Sequence, residues 1–184
     1  MENGMKELAN EIMMVKIPSL DNQLFEMIKL NTVWDNSMVS RKTVSYGVPY
    51  NYSGQEYQFC AMPRYLHPLM DFVHDQIGFF PNNCLINYYV NGDSKMGFHS
   101  DQVDQLVHGT GIAIVSLGDP RIIRFRNKID KGKEIDFTLD AGTLFYMSQE
   151  IQKHWLHAVL PDKNNSQSER ISLTFRRLTE SVVM

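Results

Sequence analysis

From Cys84 onward the chain is cut into runs of four to eight residues rich in β-branched and aromatic side chains, with Gly, Asn, Asp or Pro between the runs. The pattern predicts strands near 84–90, 96–100, 111–117, 121–126, 135–139, 143–148, 153–159 and 169–177. Their connections are too short to hold crossover helices, so neighbouring strands must run antiparallel. Eight short strands in this space suit a double-sheet jelly roll better than a parallel sheet.

The part before Cys84 reads differently. Leu20, Leu24, Met27 and Ile28 recur at helical spacing after Pro18-Ser19, which predicts a helix near 20–30. A second helix is predicted near 68–77, with Pro68 at its first turn, Leu69, Met70, Val73 and Ile77 on one face, and Gly78 as its stop. Lys42–Gly47 reads as a strand. No repeat, low-complexity tract or linker separates this part, and 184 residues with 43% apolar content can build one sizeable core. The expected fold is mainly β (α+β): one domain over 1–184, with helices and a β extension in 1–80 and a jelly-roll core in 81–178.

The first seven residues are polar and no long apolar stretch follows, so the expectation is a soluble, cytoplasmic monomer with no membrane span. The net charge of −3 lacks the strongly basic footprint of an avid nucleic-acid binder, so any such binding must be local. Cys60 and Cys84 lie far apart without a CxxC pattern, which predicts buried thiols rather than a disulfide or a zinc site.

Chemistry first shows in Gly97-Phe98-His99-Ser100-Asp101. On an extended segment His99 and Asp101 leave the same face and can converge on one ion. Such a triplet by itself is more often a surface pair. Downstream, His154-Trp155-Leu156-His157 brings a further imidazole from another strand. Two nitrogens and one oxygen on one side of a metal leave positions free for a chelating co-substrate and O₂, as a non-haem iron requires. His67, His74 and His108 have no comparable partners and read as structural.

The last strand, Glu169 to Arg177, alternates polar and apolar residues. Arg170, Ser172, Thr174 and Arg176 share one face; Ile171, Leu173 and Phe175 share the other. If the polar face points inward, two buried guanidiniums require anions, and a dicarboxylate has two ends to offer. Arginine suits that task through planar, bidentate recognition of carboxylate. If it points outward, the strand is an edge with a solvated polar face. Asn87 and Tyr89 lie on one face of an earlier strand and offer neutral hydrogen-bonding groups to an organic acid.

Taken in order, Asn87-x-Tyr89, His99-x-Asp101, a distal histidine and Arg170-x-Ser172-x-Thr174-x-Arg176 resemble the AlkB family of oxidative demethylases. Val115-Ser116-Leu117-Gly118 and His154 to Pro161 also match, and the likeness is firmest from about Leu85 to Arg177. The resemblance implies a double-stranded β-helix whose iron(II) is held by His99, Asp101 and His157, the last preferred over His154 because His-x-x-x-Pro leads into the arginine strand. It implies 2-oxoglutarate as co-substrate, with Arg170 and Tyr89 on the distal carboxylate, Arg176 on the carboxylate next to the keto group, and Asn87 nearby. Ser172 stands where the family commonly has asparagine.

By the same resemblance Arg41, Lys42, Tyr46, Tyr50 and Tyr52 fall in a nucleotide-recognition region, where aromatic residues stack on an extruded base and basic ones track phosphate. An acidic residue often stands two places after the iron aspartate; here that place is Val103, and Asp104 follows one step later as the substrate-side carboxylate. The expected reaction is O₂-dependent demethylation of methylated DNA or RNA, on single strands or flipped nucleotides. The alternative is a hydroxylase of a small molecule or peptide, favoured by the acidic net charge and by Val103. The basic run Arg121, Arg124, Arg126, Lys128, Lys131 and Lys133 reads as a solvated hairpin, with a phosphate-tracking surface as the rival.

Overall fold

The computed structural model describes residues 8, 10–18, 20, 22–52 and 55–179, without the side chains of residues 51, 52, 55 and 56. The polar opening segment 1–7, Ser19, Ser53 and Gly54, and the side chain of Tyr52 therefore lie outside the described residues. None of the described helices is long and apolar enough to cross a membrane.

Two antiparallel sheets face one another. The larger has the order β1(Ile12–Lys16), β10(Thr143–Ser148), β7(Gly111–Gly118), β12(Arg170–Arg176), β5(Asn83–Tyr89), β2(Lys42–Gly47). The smaller has the order β6(Met96–His99), β11(Trp155–Val159), β8(Arg121–Asn127), β9(Glu134–Leu139). A separate hairpin, β3(Tyr50–Tyr52) and β4(Gln55–Tyr57), follows β2. The jelly-roll expectation holds.

Alternation sorts the larger sheet's side chains between two cores. Ile86, Val115, Ile171, Leu173 and Phe175 face the helices α1(Asn22–Asn31) and α2(His67–Ile77), where they meet Phe25, Ile28, Leu69, Met70 and Val73. Leu85, Ile112, Ile114, Phe145 and Met147 face the smaller sheet and pack on Ile123, Phe125 and Trp155. Covering both faces this way leaves every residue of β5 and β12 buried. α2 ends at Gly78, whose φ of 78° is the left-handed conformation that a residue without Cβ adopts most cheaply.

Three features depart from the sequence reading. β1 adds an edge strand against β10. The strand expected over 153–159 begins only at Trp155, because Ile151–His154 forms one helical turn, α3. The N–H groups of Gln152 and Lys153 bond back to the carbonyls of Gln149 and Glu150, and that of Trp155 to Ile151, so the backbone here satisfies itself locally before it joins the sheet. Cys84 is buried as expected, but Cys60 is exposed: it sits in the return from the hairpin, where its backbone bridges Gly47 and its side chain meets no core.

Candidate active site

The smaller sheet contributes two imidazoles. β6 pairs with β11 so that His99 stands opposite His157, with ring centroids 4.3 Å apart. The backbone carbonyl of Gly97 lies 2.8 Å from His99 Nδ1, a contact that orients the ring with Nε2 toward Asp101. Asp101 follows just beyond the strand. Its Oδ1 lies 3.3 Å from His99 Nε2 and 3.8 Å from His157 Nε2. One ligand atom from each residue falls within 4.8 Å of the others, and among the described residues no other such group forms. Two roomier clefts, one beside Glu150 and Trp155 and one beside Pro120 and Lys163, gather no comparable set.

The charge states suit a cation. Burial pushes the His157 imidazole down to about 3, against the pull of Asp101, so it is neutral with a lone pair to give. Burial would raise the Asp101 carboxyl, but the Arg176 guanidinium and the two imidazoles more than offset it and hold the group well below the usual carboxylate range. Arg176 Nη2 donates to Asp101 Oδ2 at 2.8 Å. Two imidazoles and one anionic carboxylate, gathered on one wall with Asp101 and His157 buried and His99 partly so, form a donor set that fits a divalent iron.

The larger sheet supplies the facing wall. The polar face of β12 points inward, and Arg170, Ser172, Thr174 and Arg176 line the same cavity as His99, Asp101 and His157, with Asn87 and Tyr89 beside them. Arg170 is 1% exposed; its Nε and Nη2 donate to Ser116 Oγ at 3.2 and 2.8 Å, and its guanidinium lies 5.3 Å from the Tyr89 ring centroid. Its Nη1 has no hydrogen-bond partner among the described residues. Burial lowers the affinity of this guanidinium for its proton, and among the described residues no carboxylate stands against it. A small organic acid is what this end of the cavity fits.

The residues expected to touch a nucleotide divide. Arg41 is buried and donates through Nε to Asn87 Oδ1 at 2.8 Å, so it is not on an exposed phosphate track. Lys42 and Tyr46 are displaced from the cavity by strand parity: they alternate with Thr43 and Ser45, and Val44 and Tyr46 pack toward the helices. Tyr50 is fully buried with its ring 4.6 Å from the Arg176 guanidinium, roofing that end of the site rather than offering a face for stacking. Asp104 is exposed, and its charge bears on the Tyr50 phenol. His154 is exposed beside Glu150, away from the triad. Within the basic run, Arg124 and Arg126 are ion-paired with Asp136 and Glu134 across the β8–β9 hairpin, Arg121 is buried on backbone carbonyls and Lys128 donates to the Gln152 carbonyl, so these four are engaged within the fold.

Two residues near the site went unassigned in the sequence. Ser116 shares the inward face of β7 with Ile112 and Ile114, and a hydroxyl between aliphatic neighbours and a buried arginine was the signal that could have marked it. Gln152 accepts the backbone N–H of Asp101 through Oε1 at 2.9 Å; nothing in its local sequence announces a contact between residues 51 positions apart.

The family model described as the 2OG-Fe(II) oxygenase superfamily matches residues 9–176. The chain belongs to that superfamily. Within it the chain is AlkB-like. The DNA oxidative demethylase ALKBH2 of Bos taurus is 31% identical over 154 residues, covering 76% of this chain and 54% of that protein. The alkB homolog 3 dioxygenase of Rattus norvegicus is 31% identical over 148 residues, covering 74% and 49%. An uncharacterized protein, R406, of Acanthamoeba polyphaga mimivirus is 33% identical over 127 residues, covering 69% and 65%. The chain thus spans roughly half to two thirds of the curated relatives it matches. The solved structure of OsALKBH1 shares the fold, with a TM-score of 0.64 at 16% identity over 91% of this chain and 98% of that one. The superfamily's name supplies the groups to set against this cavity, Fe(II) and 2-oxoglutarate.

Proposed function

We propose that this chain is an Fe(II)- and 2-oxoglutarate-dependent dioxygenase that demethylates N-alkylated bases in DNA or RNA. The observation that carries the reading is the convergence, in one buried cavity, of His99, Asp101 and His157 with Arg170 and Arg176. Likeness to DNA oxidative demethylases favours a nucleic-acid substrate.

Each wall has its task. His99, Asp101 and His157 hold the metal; Arg176 draws on Asp101 Oδ2, which leaves Oδ1 turned to the imidazoles. Arg170, set by Ser116 and Tyr89, receives the far carboxylate of 2-oxoglutarate, and Asn87, its carbonyl occupied by Arg41, turns its amide to the acid. Arg176 stands close enough to the triad to neutralise the carboxylate beside the keto group. When bound, Fe(II), O₂ and 2-oxoglutarate supply oxidation of a substrate C–H bond coupled to release of succinate and CO₂. An N-methyl group so hydroxylated is lost as formaldehyde. Tyr50 covers the Arg176 guanidinium and excludes water there, while Asp104 belongs to the substrate side.

The test is anaerobic reconstitution with Fe(II), followed by succinate and formaldehyde release against methylated oligonucleotides, peptides and metabolites. Release that depends on a methylated oligonucleotide is expected. Turnover raised only by a non-nucleotide would overturn the nucleic-acid assignment and leave a hydroxylase.

A further inference from the structure

We propose that Gln152 is a positioning residue for the metal: its side-chain carbonyl fixes the backbone at Asp101 and thereby sets where the carboxylate ligand stands. The inference rests on the reading that His99, Asp101 and His157 hold the metal.

Asp101 lies past the end of β6, outside any strand pairing, so no ladder hydrogen bond holds its backbone. Its N–H is taken by Gln152 Oε1 at 2.9 Å, and Gln152 is itself 3% exposed. The amide is held at its other end as well: Nε2 lies 3.2 Å from Met147 Sδ, and the Gln152 backbone carbonyl accepts from Lys128 Nζ at 2.7 Å. The backbone N–H of Lys128 in turn donates to the His154 carbonyl at 2.9 Å. A single helical turn is thus tied to β10 through Met147 and to the end of β8 through Lys128, and it presents one fixed acceptor to Asp101.

Two consequences single this contact out from ordinary satisfaction of a buried amide. α3 leads straight into β11, so the same turn delivers His157 through the chain and anchors Asp101 through the Gln152 side chain. Arg176 pulls the Asp101 carboxylate from the side of β12, and without a fixed backbone that attraction is free to draw the oxygen off the imidazoles. Gln152 opposes it. Partners that orient metal ligands from outside the coordination sphere commonly govern affinity by about ten- to a hundredfold.

The experiment uses the full chain purified free of metal and titrated with Co(II), followed by its visible ligand-field absorption. Wild type is compared with Asp101→Ala, Gln152→Met, which keeps length and loses the acceptor, and Gln152→Asn, which keeps the amide but falls a methylene short. Melting of each metal-free protein controls for folding. Wild type is expected to saturate, Asp101→Ala to fail, and both Gln152 variants to bind about ten- to a hundredfold more weakly with a shifted band while retaining a cooperative melt. A folded Gln152 variant with wild-type affinity and spectrum overturns the inference while leaving the triad standing. Wild-type binding by Asp101→Ala overturns the triad and the inference together. If Gln152→Met does not fold, Gln152→Asn decides.

Discussion

Arg170 and Arg176 sit on the same face of one strand and are almost equally buried, yet their surroundings differ in kind. Arg176 has a protein carboxylate at 2.8 Å and the Tyr50 ring above it. Arg170 has a serine hydroxyl and the Tyr89 ring, with no carboxylate against it among the described residues. The first is neutralised by the fold; the second holds a charge the fold does not neutralise. A buried cation without an anion costs stability, and an arrangement that tolerates this cost reads as preparation for a ligand.

The sharpest way to break the contrast is to remove the anion that Arg176 owns. Asp101→Ala should abolish metal-dependent turnover and, by stranding a buried guanidinium, destabilise the metal-free protein by about 3–5 kcal/mol in urea melts. Arg170→Met should do the reverse to stability: the melt of the ligand-free protein should hold or rise. Its 2-oxoglutarate requirement should climb about a hundredfold, since a carboxylate left unpaired in a dry pocket costs on the order of 2–3 kcal/mol. Thermal shift with 2-oxoglutarate under anaerobic conditions reads both effects, because the ligand stabilises only the protein that binds it. If Arg170→Met destabilises as strongly as Asp101→Ala, the contrast is wrong.

Smaller changes sharpen it. Tyr89→Phe removes one phenol from the Arg170 end and should raise the half-saturating 2-oxoglutarate concentration by roughly two- to tenfold, with the metal titration unchanged. Smallest is Glu169→Gln, next to Arg170 but outside the cavity. Burial would raise the Glu169 carboxyl, but hydrogen bonds from Lys29 and Tyr88 and the Lys29 charge bring it below its ordinary value. Its contribution is therefore present above the unfolded carboxyl's titration and lost as pH falls through the folded one. The pair is part-exposed, so the difference should stay under ~1 kcal/mol at neutral pH and vanish in acid melts.

Much of this was legible in the residues, and the limits have physical causes. Alternation in β12 separated Arg170, Ser172, Thr174 and Arg176 from Ile171, Leu173 and Phe175, because strand parity is local; which set faces inward depends on what covers each side, and that is settled by α1, α2 and the smaller sheet. At β2 the same parity sets Lys42 and Tyr46 on the side of Val44, toward the helices, a placement that local sequence does not specify. His99 and Asp101 were readable as a pair because two residues of extended chain bring their side chains together. Gln152 and Ser116 were not, since each acts on a partner more than fifty positions away. α3 is too short for helical periodicity to register, and β1 is an edge strand whose partner lies far downstream.

The position of β12 between β7 and β5, laced to a neighbour along both edges, contrasts with that of β6, which borders its sheet and pairs on one side only. Local opening begins where backbone bonds are fewest. The acid-gripping wall should therefore exchange its amide hydrogens slowest and the His99 segment faster, so that an approaching metal meets one yielding jaw and one that does not give.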